Sequence, residues 1–205
     1  MRLFRIPSFI PNILKNRIWR IKNTENKVYL TFDDGPSPEL TPFILETLEK
    51  SNIKATFFCV GENVAKYPEL FQRIKNEGHQ IGNHSYNHKS FTKISKKEYL
   101  DSIEKANELI QSEFYRPPYG RISLNLARII SKKYKLVMWS WISYDFDENV
   151  SIEKIIKKAD KQIKSGEVLV LHDNPKITEK QKELLPKLIE LLKSKGFSFV
   201  EIGKE

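Results

Sequence analysis

Apolar positions along the chain follow two rhythms. Short apolar runs, each stopped by Gly, Pro or a polar group, alternate with stretches in which apolar side chains recur at a 3.6-residue period. The runs predict strands over 28–32, 55–60, 79–83, 135–141, 167–171 and 197–202, with a further short segment ending at Tyr115. The periodic stretches predict helices over 39–50, 67–77, 96–113, 123–133, 151–164 and 178–194. Pro42 falls in the first turn of the first helix and Gly78 is a C-cap for the second. Pro186 is expected to kink the last helix or divide it in two. Strands alternating with helices build a parallel sheet covered on both faces, which suits strands that are apolar nearly throughout. The fold class is therefore α/β, with about seven parallel strands. Acids, rather than a glycine-rich phosphate cradle, follow the first strand, so a distorted (β/α) barrel is favoured over an open doubly wound sheet.

Residues 1–26 break this rhythm. Phe4, Ile10, Leu14, Ile18 and Trp19 alternate with Arg2, Arg5, Lys15, Arg17 and Arg20. With no continuous apolar centre and no small-residue cleavage site, the stretch does not read as a signal peptide. It reads as a basic, apolar segment packing on a single domain of residues 27–205, with a membrane-surface role as the weaker alternative. No apolar run is long enough to span a bilayer. The expectation is a cytoplasmic protein or one that reaches the envelope by another route. The formal charge of +9 comes largely from lysines on presumed helix faces, such as Lys96-Lys97, Lys132-Lys133 and Lys157-Lys158. These read first as solvated surface and second as a match for an anionic glycan or acidic envelope. No nucleic-acid motif accompanies them, so nucleic acid is not an expected partner. The single cysteine, Cys59, lies in an apolar run and precludes an internal disulfide.

Polar residues interrupt the apolar pattern at predicted strand ends: Asp33 and Asp34, His84, Arg116, Asp145, and His172 with Asp173. In α/β folds that end of the sheet carries the active site. Asp33 and Asp34 close the first strand before Gly35-Pro36, where they either cap the turn or contribute to a site. His84 and His88 stand at i and i+4, which on a helical turn puts both rings on one face, able to share a metal ion. Asp33 or Asp34 can complete a two-histidine, one-carboxylate set for Zn²⁺. His79 reads as a structural histidine. His172, emerging from a buried strand, is a candidate acid or base or a hydrogen-bonded core residue. Arg116 opens Arg116-Pro117-Pro118-Tyr119-Gly120, whose two prolines can hold the Tyr119 amide rigidly, as an oxyanion site requires. Asp145 lies in an aromatic segment with Trp139, Trp141, Tyr144 and Phe146, as a desolvated acid or beside sugar-stacking rings.

Taken in order, Thr-Phe-Asp-Asp-Gly-Pro, His-x-x-x-His, Arg-Pro-Pro-Tyr-Gly, the aromatic-Asp segment and Leu-His-Asp resemble the polysaccharide deacetylases, carbohydrate esterase family 4, over about residues 27–202. The resemblance implies a distorted barrel and an N-deacetylase acting on an N-acetylated oligo- or polysaccharide of peptidoglycan or chitin type. It implies that Asp34, His84 and His88 hold one divalent metal, commonly Zn²⁺, with Co²⁺, Ni²⁺ or Mn²⁺ as alternatives. Asp33 is then the base, Arg116 its orienting partner, the Tyr119 amide an oxyanion donor, and His172 the acid paired with Asp145. Leu171, Trp139 and Tyr119 become the substrate-contacting residues. Two positions depart from the family pattern: Ile142 replaces an acid and Phe146 a tryptophan, both beside the substrate. Val170 stands where leucine is frequent. The alternatives are another C–N hydrolase, acting on a formyl group or cyclic amide, and a carbohydrate-binding protein without turnover.

Overall fold

A computed structural model describes residues 2–22 and 25–204. Met1, Asn23 and Thr24 of the N-terminal segment, and Glu205, lie outside the described residues. The element order begins with a short helix α1 (Phe9–Ile13), β1 (Lys27–Asp33), α2 (Thr41–Lys50), β2 (Thr56–Cys59), α3 (Gly61–Lys66) and α4 (Pro68–Asn76). It continues with β3 (Gln80–Asn83), α5 (Lys96–Ile110), β4 (Phe114–Tyr115), α6 (Leu124–Ile130), β5 (Lys135–Leu136) and β6 (Trp141–Ile142). It closes with α7 (Ile152–Gln162), β7 (Val168–His172), α8 (Thr178–Ser194) and β8 (Ser198–Phe199). Seven parallel strands run β5-β4-β3-β2-β1-β7-β6, and β8 adds to the start of β1. The sheet curls into a half-barrel.

β1 is central because it is apolar on both faces. Its Val28, Leu30 and Phe32 point outward into the main core, against Leu40, Ile44 and Leu48 near α2 and Leu184, Leu185 and Leu188 of α8. Fully burying each such side chain contributes about 1.5–3 kcal/mol. The alternate residues face the inside of the curl. Tyr29 packs there with Phe58, Phe114, Val137 and Val168, while Thr31 and Asp33 put polar groups at the C-terminal end of that interior.

Helix starts follow local sequence. Ser95 and Glu98 form a reciprocal capping box on α5, and Ser123 and Ser151 cap α6 and α7. Three sequence expectations are corrected. Pro186 does not divide α8, which runs unbroken because its buried leucines outweigh one lost backbone bond. The predicted strand 135–141 is split into β5 and β6. Between them, the Val137 and Met138 carbonyls accept from Arg116 and the Met138 N–H donates to the Ile18 carbonyl. The stretch following β2 forms α3, a helix that the periodicity did not predict.

The N-terminal segment lies along both ends of the strand path. Ile18 pairs with Val137 beyond β5, Arg5 with Trp141 in β6, and Arg20 with Glu167 ahead of β7. Phe4 and Trp19 are buried, whereas Phe9 and Ile13, one helical turn apart on α1, are exposed.

Candidate active site

A cavity of about 610 Å³ opens at the C-terminal ends of the strands. Asp33 ends β1 opposite Phe58 of β2 and His172 of β7. The next residue, Asp34, has φ of +80°, a left-handed conformation that costs a non-glycine residue energy. The Asn63 amide holds it there by donating to the Asp34 carbonyl at 2.7 Å. This bend breaks the strand alternation, so both carboxylates line one cavity.

Asp33 is buried and one oxygen is fixed. Arg116 Nη1 donates to Asp33 Oδ1 at 2.6 Å and to Thr31 Oγ1 at 2.7 Å. Arg116 Nη2 donates to the Met138 carbonyl at 3.0 Å, and the guanidinium lies 4.0 Å over the Phe58 ring. Burial lowers the pKa of Arg116, and the Asp33 carboxylate acts against that. Asp33 Oδ2 is left facing the cavity, 3.9 Å from His84 Nε2.

Asp34, His84 and His88 place ligand atoms within 4.8 Å of one another. His84 Nδ1 donates to the Arg116 carbonyl at 2.7 Å, which directs Nε2 at the carboxylates. Burial pushes His84 down to about 3, with His88 adding to the effect, so it stays neutral, the form that binds metals. His88 Nε2 sits 3.3 Å from Asp34 Oδ1. The two histidines do not share a helical turn as their spacing suggested. Ser85 and His88 have φ of +65° and +52°, and the loop is held by Asn83 Oδ1 accepting from the Ser85 N–H. One carboxylate oxygen and two imidazole nitrogens, the His84 ring buried and the other two groups half-buried, suit Zn²⁺ or a neighbouring divalent ion.

His172 lies across the cavity. Its Nδ1 bonds Asp145 Oδ1 at 2.7 Å and its backbone N–H donates to Asp145 Oδ2 at 2.8 Å. Burial opposes the charged ring, but Asp145, with Asp34 and Asp33 beyond it, raises the pKa to about 9. Asp145 is itself fully buried, and despite that burial the His172 contacts hold it below the usual carboxylate range. Tyr119 has φ of +59°. The Gly120 and Arg121 N–H groups donate to the Pro117 and Pro118 carbonyls, whereas that of Tyr119 has no acceptor among the described residues. A Cβ at Gly120 would lie 2.2 Å from the Trp139 ring, so this loop sits directly on a cavity wall.

Asp33, Asp34, His84, His88, Tyr119, Trp139 and His172 all line the cavity, with Arg116 and Asp145 buried behind it. Leu171 does not line it. On a strand ending with His172 inward, Val170 faces the cavity and Leu171 points into the outer core. Several supporting residues had not been singled out. Gln181 Nε2 donates to Asp145 Oδ2 at 2.9 Å; its signal was a polar residue among the apolar positions of α8. Asp173, next to His172 at the end of β7, is buried. It accepts from Ser37 Oγ at 2.8 Å and from Thr41 Oγ1, and burial raises it to about 7.

The sequence matches the family model described as polysaccharide deacetylase over residues 20–138. A peptidoglycan-N-acetylglucosamine deacetylase of Bacillus cereus is 39% identical over 184 residues, covering 86% of this chain and 66% of that protein, so the chain spans about two thirds of its length. The crystal structure of the Bc1960 peptidoglycan N-acetylglucosamine deacetylase superposes with a TM-score of 0.86 at 35% identity, covering 96% of this chain and 95% of that one. BA3943 of Bacillus anthracis, a pseudoenzyme of carbohydrate esterase family 4, superposes with a TM-score of 0.80 at 26% identity, covering 90% and 66%.

Proposed function

This chain belongs to the polysaccharide deacetylase family, and from that premise we propose that it is a metal-dependent hydrolase that removes N-acetyl groups from a peptidoglycan- or chitin-type glycan, releasing acetate. The observation that carries this reading is the pairing of Asp33 with Arg116 and of His172 with Asp145 on either side of the Asp34–His84–His88 cluster. Those three residues would hold the ion, Zn²⁺ by donor type, with Co²⁺, Ni²⁺ or Mn²⁺ as alternatives. A divalent ion, when bound, polarises a carbonyl and makes water more acidic.

The protein groups divide the remaining work. Asp33 Oδ2, the oxygen not taken by Arg116, accepts the proton of the attacking water. The free Tyr119 N–H stabilises the oxyanion of the tetrahedral adduct, a contribution of about 3–4 kcal/mol for one donor. His172 Nε2 delivers a proton to the departing amine, because Nδ1 is committed to Asp145. Val170, Trp139 and the Tyr119 ring would contact the acetyl methyl and sugar. The B. cereus relative's name and the +9 charge both point toward peptidoglycan, an anionic glycan. Exposed Phe9 and Ile13 beside Lys15 would suit contact with the cell envelope.

The test is acetate release from a panel of N-acetylated glycans with metal stripped and restored. Asp34→Ala should lose both bound ion and turnover. Asp33→Asn should retain the ion and lose about 10³-fold in rate. The pseudoenzyme neighbour makes a glycan-binding protein the competing reading. Glycan binding with no acetate from the metal-loaded protein would establish that reading instead.

A further inference from the structure

The acid side of the centre is built on a short edge strand. β6 has two residues and ends the strand path, and the loop 143–147 beyond it carries Asp145 and Phe146 outside any helix or strand. Residues 2–6 reinforce both. The Ile6 N–H donates to the Ser140 carbonyl at 2.8 Å, and the Phe4 carbonyl accepts from the Ile142 N–H at 2.9 Å. Past the strand end, Tyr144 Oη donates to the Leu3 carbonyl at 3.2 Å and Arg2 pairs with Asp147. The other end of the run is anchored by Arg5 on buried Glu167 at 2.6 Å and by Arg20 on the Ile6 carbonyl at 2.9 Å.

Side chains continue the connection as a file of rings. Phe4 meets Tyr144 at 5.0 Å between centroids, Tyr144 meets Phe146 at 5.8 Å, and Phe146 stands edge-on to His172 at 5.0 Å. Tyr144 has φ of +57°, a conformation that an L-residue holds only where its surroundings enforce it.

We propose that residues 2–6 are a positioning element of the active site, with Phe4 acting through Tyr144 to set Asp145 and Phe146 against His172. Asp145 lies between the two aromatic residues, so a shift of that pair carries its carboxylate along. The inference rests on the acid role given to His172 above. Displacing a reacting group by about 1 Å costs about 10²-fold in rate.

The experiment compares Phe4→Ala, Phe4→Leu and Trp19→Leu, the last on the same segment but outside the file of rings. Phe4→Ala should lower kcat about 10²-fold with KM changed by less than about threefold, and Phe4→Leu should recover most of it. Trp19→Leu should lower Tm and leave kcat at the wild-type value. A wild-type kcat in folded Phe4→Ala, or an equal loss in Trp19→Leu, overturns the proposal. A second readout needs no substrate. The His172 ring-proton NMR signal, identified by its loss in His172→Gln, should move in Phe4→Ala and stay in place in Trp19→Leu. An unmoved signal also overturns the proposal. A moved signal in a protein that releases no acetate supports the positioning element and removes the deacetylase reading alone. If Phe4→Ala does not fold, Tyr144→Leu breaks the next link and is judged by the same outcomes.

Discussion

Asp33 and Asp145 are both buried carboxylates paired with a cationic side chain, and they use that pairing in opposite ways. Arg116 is fully buried, and every terminal nitrogen of its fork has an acceptor: Asp33, Thr31 or a backbone carbonyl. It does not reach the cavity and cannot give up its proton, so it acts as a fixed charge that immobilises Asp33. His172 keeps one ring nitrogen outward, and Asp145 raises its affinity for a proton to about 9. In the mechanism proposed above, the first pair would hold the group that takes a proton and the second the group that gives one. What separates them is which partner faces the cavity, together with the fixed charge of an arginine against the titratable ring of a histidine.

The largest effect should come from breaking the sealed pair. Arg116→Met leaves Asp33 buried without its counter-charge and should cost about 3–5 kcal/mol of stability in denaturant unfolding. Retention of wild-type stability would mean that Asp33 is solvated despite its burial. The open pair should respond to pH. Because the folded pKa of His172 is raised, its pairing with Asp145 stabilises fully below about 6.5 and is lost as pH rises through about 9. The rate should accordingly fall on the alkaline side near pH 9. Asp145→Asn should lower kcat about 10²-fold and move that limb toward 6.5. An unmoved limb would assign it to another group. The same variant should cost stability at pH 6 and very little at pH 10.

Smaller effects probe the supports. Asp173→Ala leaves the Ser37 and Thr41 hydroxyls without their carboxylate, an expected loss of about 2 kcal/mol in thermal or denaturant unfolding. Gln181→Leu removes a neutral donor from Asp145 and from the His172 carbonyl and should cost about 1 kcal/mol, with the alkaline limb displaced slightly toward lower pH. A shift as large as that of Asp145→Asn would show that Gln181, more than the ion pair, orients the carboxylate.

The central strands and the residues at their ends were legible in the sequence because polar groups interrupt otherwise apolar runs there. Register-dependent features were harder to read. Leu171 and Val170 are equally apolar, and only counting in twos from His172 separates the cavity wall from the outer core. The stretch 135–141 has the composition of a strand, yet Arg116 and Ile18 take its middle backbone groups, and neither is near in sequence. The i, i+4 spacing of His84 and His88 converged as expected, though by two left-handed residues instead of a helix. Gln181 was visible as a polar residue at a core position of α8, but its partner, a carboxylate 36 residues away, was not.

The contact between Trp139 and Gly120 also makes the site optically observable. Of the three tryptophans, Trp19 and Trp141 are buried, and Trp139 is partly exposed on the cavity wall against the loop that carries the Tyr119 amide. Collisional quenching of intrinsic fluorescence by acrylamide should therefore report mainly on Trp139. A sugar seated in the cavity should shield it, giving a binding isotherm without label, catalysis or acetate detection.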